Sequence, residues 1–377
     1  MHLSRRKLLA AGLGAICTGA AGAQQKPGQP KGTIIGKPNP LSSDKMEMTL
    51  GGKNIKQWIA EINSPDPSRR ENAIRTVPMI KGAEEAIPAI LERVERDSDS
   101  SPRVNAVMAL GAIDFTNEAE IKHAVHSLAV RATTDSQSII RFQAALVLGR
   151  FGVRARPAMR ELIQATKDQG SWEIRKAAVF ALTRAATDVK EPVNSLAVDA
   201  LISRMYQSVE QSALVRLEAT MSISTIGRIT PADSIKVVKA LKEAEFDKEK
   251  TIRIWARVGL CVHDNSLTPQ DMKALVKFLQ DKELPTRTHA ARALGTIASV
   301  GNTGDRMKEA VPALTEMLSD SEEHAQIAAI WALGRMGKHA QPALKRLNEM
   351  LQDKSIGDEG KGFIREAIAL IEGKGKN

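Results

Sequence analysis

Aromatic side chains are scarce in this chain, at 3% of 377 residues. Runs of alternating Val, Ile and Thr are missing as well, and the two absences together exclude a strand-rich fold. With 42% hydrophobic residues, the core must be built from Ala, Leu, Ile, Val and Met, which pack as helix on helix. Cysteine is equally sparse. Cys17 lies near the N-terminus and Cys261 stands alone in the rest, so no internal disulfide can hold the fold. The apolar run Leu8 to Ile16 is too short to cross a bilayer. Chemistry-bearing motifs are missing too: there is no P-loop, no GxSxG and no CxxC. His123 and His126, three apart on a predicted helix, could face one metal, but Glu118 and Glu120 reach it only through a turn, short of a ligand set. Cys261 follows Gly259-Leu260 at the apolar phase of its helix and is expected to be buried and inert.

What the chain does contain is one sentence written many times. It reads most clearly from Asp281-Lys-Glu-Leu-Pro-Thr-Arg287-Thr-His-Ala-Ala-Arg-Ala-Leu-Gly295 to Ala310-Val-Pro-Ala-Leu-Thr-Glu-Met-Leu-Ser-Asp320. The anchor is an arginine: Arg70, Arg103, Arg141, Arg175, Arg216, Arg253, Arg287 and Arg365, with Gln326 in one copy, spaced 33 to 41 residues apart. That interval is the length of a helical pair. Three residues after the anchor stands alanine (Ala73, Ala106, Ala144, Ala178, Ala219, Ala256, Ala290), small enough for neighbouring helices to approach closely. Gly111, Gly149, Gly295 and Gly334 follow an Ala-Leu or Val-Leu step, where glycine serves either a helix C-cap or a close crossing.

The second helix of a pair often opens at proline: Pro88, Pro157, Pro312 and Pro342, or Thr230-Pro231 and Thr268-Pro269, a threonine cap with proline just inside. It runs to an acid. Asp97 precedes Arg103, Asp135 precedes Arg141, Asp247 precedes Arg253 and Asp281 precedes Arg287 by six residues each, and Asp168 precedes Arg175 by seven. An aspartate so placed can cap the coming helix while pairing with the arginine of its first turn. Repetition turns these pairs into a structural ladder.

The Asp–x5–Arg step, the Ala-Ala-x-Ala-Leu-Gly run at Ala290 to Gly295 and the Pro-Ala-Leu opening resemble the HEAT repeat family, in particular the shorter variety found in phycobilin lyases. The resemblance covers about residues 51–372. It implies an all-α fold, a right-handed α-solenoid of about eight to nine stacked helical pairs, with second helices lining a concave side that grips partners. Departures are Gln326 for Arg, Ser64 where Asp would precede Arg70, and the poor Ala-Leu-Gly match at Ser222 to Ser224. A di-iron hydroxylase among HEAT-like proteins uses His-Glu pairs, and no histidine here is followed by glutamate.

The ends read differently. Residues 1–23 are expected to be an export signal: Ser4-Arg5-Arg6-Lys7-Leu8-Leu9 resembles the twin-arginine signal, and Ala21-Gly22-Ala23 suits a cleavage site. Export across the bacterial inner membrane, to the periplasm or beyond, follows as the expected location, with the general secretory route as the alternative. Of the net charge of +10, Arg5, Arg6 and Lys7 account for three, leaving +7 on a mature chain with no transmembrane segment. Residues 24–52, rich in Pro, Gly and Lys, read as a flexible linker. Residues 53–372 are the repeat domain, opened by Ile55, Trp58, Ile59 and Ile62 as an N-terminal cap, and 373–377 is a frayed basic tail.

One surface pattern stands out. Aligned on proline and on the closing acid, Arg160, Lys239, Lys273 and Lys345 take matching places in four second helices, each eight residues before its acid, with Thr315 third after Pro312 in a fifth, and each cation is preceded by an apolar residue. Each therefore lies just off the buried stripe, and together they form a candidate partner-binding row. The functional expectation is an exported scaffold that binds another protein without catalysis and without a cofactor. An anionic surface or polymer is a second partner class, and the paucity of aromatics argues against nucleic acid. The enzyme-class alternative is a phycobilin-lyase-like or cofactor-handling protein.

Overall fold

The computed structural model describes residues 50–187, 191–264, 267–300 and 304–374. The twin-arginine-like signal with Arg5, Arg6, Ala21 and Ala23, and the linker up to residue 49, lie outside the described residues. The chain divides into Met1–Asn54 and Ile55–Asn377. Of the first unit the described part is a tight turn, with Leu50 and Lys53 paired as an isolated bridge.

Among its described residues the second unit is built of helices and short 3-10 segments. It opens with α1 (Ile55–Ile62), where Trp58 and Ile62 are buried as the pattern of the cap predicts. Eight helical pairs follow. They are α2 (Pro67–Thr76) with α3 (Ile87–Arg96), α4 (Ser100–Leu110) with α5 (Glu118–Thr134), α6 (Ser138–Phe151) with α7 (Met159–Ala165), and α8 (Trp172–Ala186) with α9 (Ser195–Ser203). The series continues with α10 (Ala213–Thr225) and α11 (Pro231–Ala244), α12 (Lys250–Asp264) and α13 (Pro269–Phe278), α14 (Leu284–Val300) and α15 (Val311–Met317), and α16 (Glu323–Met336) and α17 (Leu344–Gln352). A closing helix, α18 (Asp358–Ile371), covers the last pair.

Each even-numbered helix packs on the even-numbered helix before and after it, which makes one layer of first helices. The odd-numbered helices form a second layer, continuous from α1 to α11. No pair could bury its apolar stripe alone, so each gains its stability by leaning on its neighbours. The alanine three residues past the first eight anchors lies inside the stack: Ala73, Ala106, Ala144, Ala178, Ala219, Ala256, Ala290 and Ala329 are all fully buried.

Local chemistry sets the boundaries. The Thr230 hydroxyl accepts from the Asp233 amide at the start of α11, and Thr268 and Asp271 close a capping box on α13. Pro67, Pro231 and Pro269 occupy first helical positions, where the missing N–H costs nothing. Of the glycines at the ends of first helices, Gly111 is the C-cap of α4, whereas Gly149 and Gly295 serve close crossing. A Cβ on Gly295 would sit 2.3 Å from the Trp331 ring, and one on Gly149 would sit 2.7 Å from Phe180. Gly152 stops α6 and Gly337 stops α16, with φ of +57° and +55° and strongly negative ψ, a region open to glycine alone.

Candidate partner-binding face

The anchor arginines link each unit to the next, and the register differs from the sequence expectation. Arg103 does not bind the carboxylate of Asp97 six residues earlier. Its Nε donates to Asp135 of the following unit at 2.9 Å, and its Nη1 donates to the main-chain carbonyl of Asp97 at 2.7 Å. Arg70 donates to Asp97 at 2.7 Å, Arg141 to Asp168 at 2.9 Å, Arg216 to Asp247 at 2.8 Å and Arg287 to Asp320 at 2.7 Å, so the ladder runs one unit forward. The six-residue spacing brings the Asp carbonyl under its own unit's guanidinium. The carboxylate points back and also accepts the amide two residues on, as Asp135 does from Gln137 and Asp281 from Glu283.

Two rungs depart from this rule. Glu210, absent from the sequence reading, takes the place of Asp and holds Arg175 at 2.6 Å. At the next-to-last step Lys250, not Arg253, reaches Asp281 at 2.9 Å, while Arg253 keeps its bonds to the carbonyls of Asp247 and Lys248. Burial pushes the Asp135 carboxyl up, but Arg103, the Gln137 amide and Arg131 outweigh it and hold it below the usual carboxylate range. These groups are occupied with one another and hold units together.

The four cations of the candidate row are placed differently. Arg160 on α7, Lys239 on α11, Lys273 on α13 and Lys345 on α17 are all exposed, each behind a half-buried or buried Met159, Val238, Met272 or Leu344. None of the four is in a salt bridge among the described residues. The row is interrupted at α9, whose exposed acid, Asp199, pairs with Lys236 of α11 at 2.8 Å. Thr315 turns its hydroxyl to the Val311 carbonyl at 2.7 Å.

Lys239 opens onto a concavity. A groove of about 750 Å³ runs beside α11, lined by Ile235, Val238, Lys239, Lys242, Phe246 and His263, with Glu243 and Asp264 among its borders. Its walls come from α11 and from the C-terminal end of α12. Ile235 is 74% exposed and Phe246 88%, the largest exposures of any large apolar side chains among the described residues. The His263 Nε2 lies 2.8 Å from the Ile223 carbonyl, and burial lowers its pKa, so the ring meets the groove neutral.

A profile of HEAT repeats matches residues 55–149 and 272–359. Those two stretches are similar to HEAT repeats. No curated protein matches the chain. Among solved structures, an engineered protein is 19% identical over 84% of this chain and 88% of its own, with a TM-score of 0.44. Escherichia coli YibA is 16% identical over 85% of this chain and 93% of its own, with a TM-score of 0.38.

The groove and its helix lie between the two matched stretches, and so does the least apolar interior helix. On α10, Arg216, Glu218, Thr220, Ser222 and Ser224 are all buried. Ser224 donates to the Trp255 carbonyl at 2.7 Å, and Trp255 Nε1 in turn donates to His289 Nδ1 at 2.9 Å. Glu218 Oε1 has no hydrogen-bond partner. Burial pushes its carboxyl up to about 7, against a small downward pull from Lys176. Burial pushes His289 the other way, down to about 4, with help from Arg292 and Lys176. The poor Ala-Leu-Gly match at Ser222 to Ser224 was the sequence signal for this polar seam. Glu218 and His289 carried none.

The residues weighed for chemistry lie apart. His123 Nε2 is 2.6 Å from Glu95, an exposed pair. Among the described residues no cluster of three or more His, Cys, Asp and Glu could hold a metal ion. Cys261 is half-buried, not fully buried as its apolar helix phase suggested, and burial raises its thiol pKa. Among the described residues no helix is long and apolar enough to cross a membrane.

Proposed function

We propose that this chain is an exported, non-catalytic scaffold that holds a partner protein against its layer of second helices. The observation that carries the reading is a division of labour between charges. The ladder arginines are consumed in contacts between units, whereas Arg160, Lys239, Lys273 and Lys345 stand exposed and unpaired on second helices, one of them in a groove with two exposed apolar side chains. Unpaired cations beside solvent-facing apolar groups give a surface both electrostatic reach and a desolvation gain on contact. Placement outside the inner membrane belongs to the same proposal and rests on the Arg5-Arg6 leader.

The test places a photocrosslinking residue at Lys239, Lys273 or Lys345, and, as controls, at Ile139 and Leu214 on first helices, in the protein's own cells. Protein crosslinks confined to the second-helix positions, and lost when Lys239, Lys273 and Lys345 are all changed to Glu, are the expected result. Equal crosslinking from both layers would overturn the reading. So would a stoichiometric chromophore or metal in protein purified from its own host. Fractionation of cells carrying Arg5→Lys with Arg6→Lys checks the location: the protein should then accumulate inside the inner membrane.

A further inference from the structure

Where α8 turns Ala177, Val179, Ala181 and Thr183 inward, α10 turns Glu218, Thr220, Ser222 and Ser224, all buried. Thr220 and Ser224 place their hydroxyls on main-chain carbonyls, of Arg216 and of Thr220 and Trp255 respectively. Glu218 has no such outlet. Its side chain lies inside the crossing with Oε1 unpartnered, and a dry, unpaired carboxyl is stable there only while it keeps its proton.

Charged groups on the four helices packed against α10 are committed elsewhere, with one exception. On α8, Glu173 accepts from the Ser171 hydroxyl, Arg175 holds Glu210 and Arg184 donates to the Gly149 carbonyl. Asp199 of α9 and Asp233 of α11 pair with Lys236. Lys239, Lys242 and Glu243 of α11 line the solvent-facing groove, as does Asp264 of α12. On α12, Lys250 holds Asp281 and Arg257 pairs with Asp271. Arg253 and His263 of the same helix bond to main-chain carbonyls. Arg216 of α10 itself goes to Asp247. The exception is Lys176 on α8, half-buried and in no ion pair among the described residues. Its charge is the one that reaches Glu218.

We infer that Glu218 and Lys176 form a proton-controlled joint between the fourth and fifth helical pairs. With its proton, Glu218 stays inside the crossing of α8 and α10. Ionised, it leaves to pair with Lys176, and the angle between the two helices changes. Burial pushes this carboxyl up to about 7, so the joint works near neutral pH. Rising pH creates the charge, and Lys176 favours the charged form. Arg160 on α7 stands before the joint, and Lys239, Lys273 and Lys345 stand after it. Bending at α10 therefore alters the spacing of the exposed cations. That consequence rests on the scaffold reading; the joint itself does not.

The test measures a distance across the joint by pulsed electron paramagnetic resonance on the full chain. Spin labels go on Ile139→Cys of α6 and Lys282→Cys just before α14, both exposed positions, in a background carrying Cys17→Ser and Cys261→Ser. The distance should change between about pH 5.5 and about pH 8.5, with its midpoint near 7. Glu218→Gln should hold the low-pH distance throughout, whereas a transition owed to exposed histidines would survive in it. Lys176→Met removes the charge that favours ionisation and should raise the midpoint by at least about half a pH unit, and Lys176→Arg should restore it. A distance independent of pH in the labelled parent overturns the inference. The same transition in Glu218→Gln, or an unmoved midpoint in Lys176→Met, does so too. Should Glu218→Gln not fold, the midpoint in Lys176→Met decides by itself. No partner protein enters the measurement, so its failure leaves the scaffold reading standing.

Discussion

Two buried ionisable side chains, Glu218 on α10 and His289 on α14, titrate in opposite directions, and the consequence is visible only when one is removed. Glu218 is pushed up to about 7 from 4.5 by burial. The folded protein therefore keeps a proton that the unfolded chain releases above pH 4.5, so stability from this group is whole below 4.5 and drains as pH rises to about 7. His289 is pushed down to about 4 from 6.5, so its contribution is whole above 6.5 and drains as pH falls to about 4. Each slope is about 1.4 kcal/mol per pH unit. Between pH 4.5 and 6.5 they have opposite signs and offset one another. Glu218→Gln removes the first slope. The variant should match wild type near pH 4, gain on the order of 3 kcal/mol by pH 8, and show a melting temperature that climbs through the window where wild type is flat. Parallel melting profiles for the two proteins would show that Glu218 is ionised in the fold.

At the scale of the element, the deciding quantity is how closely two first helices cross. Gly295 on α14 faces Trp331 and the backbone of Ala332 on α16; a Cβ there would lie 2.3 Å from the ring and 3.0 Å from Ala332 Cα. Trp331 cannot swing away freely, because Arg335 stacks on it at 5.7 Å. Gly295→Ala should therefore destabilise by about 1–3 kcal/mol, the usual cost of overpacking, in spite of alanine's better helix propensity. A thermal melt checks the sign; an increase in melting temperature would mean that α14 and α16 can part at little cost. The same crossing shows what the sequence could and could not convey. Repetition of Arg, Ala and Ala-Leu-Gly was enough to read paired helices and their stacking, since periodicity alone specifies which faces are buried. It could not tell a crossing glycine from a capping one, because both follow a leucine near a helix end. The caps of α6 and α16, Gly152 and Gly337, stand three residues further on, in Gly-Arg-Phe-Gly and Gly-Arg-Met-Gly. Nor could spacing assign the Asp97-to-Arg103 step. Six residues place both the carbonyl and the carboxylate of the acid near a guanidinium, and only the stacked neighbour decides which one it takes. Lys239 was legible as an exposed cation. Its groove was not, since that depends on how the end of α12 lies against α11, and Phe246 falls at a helix end where no periodic pattern marks it.

For the molecule as a whole, stability is a sum over units and the interfaces between them, so the array yields at its weakest junction. The polar seam singles out α10. Its buried face carries five polar or charged residues, and the apolar transfer term that joins other units is correspondingly reduced. What compensates is Arg216, whose fully buried side chain donates to Asp247 at 2.8 Å and to the carbonyls of Glu210 and Gln211 at 3.0 Å each. Truncating it strands the Asp247 carboxylate and two carbonyls, a loss of about 3–5 kcal/mol. Arg216→Lys should recover little, because an ammonium cannot bridge a carboxylate and two carbonyls as a planar fork does. Because α10 ties the units before it to those after it, Arg216→Ala should lower the denaturant midpoint and also split unfolding into two transitions with smaller slopes. Hydrogen exchange on wild-type protein provides the independent reading. Amides of α10 should exchange faster than those of α8, whose buried face is almost wholly Ala, Val, Ile and Leu. A single steep transition in Arg216→Ala, together with slower exchange on α10 than on α8, would place the weak junction elsewhere in the stack.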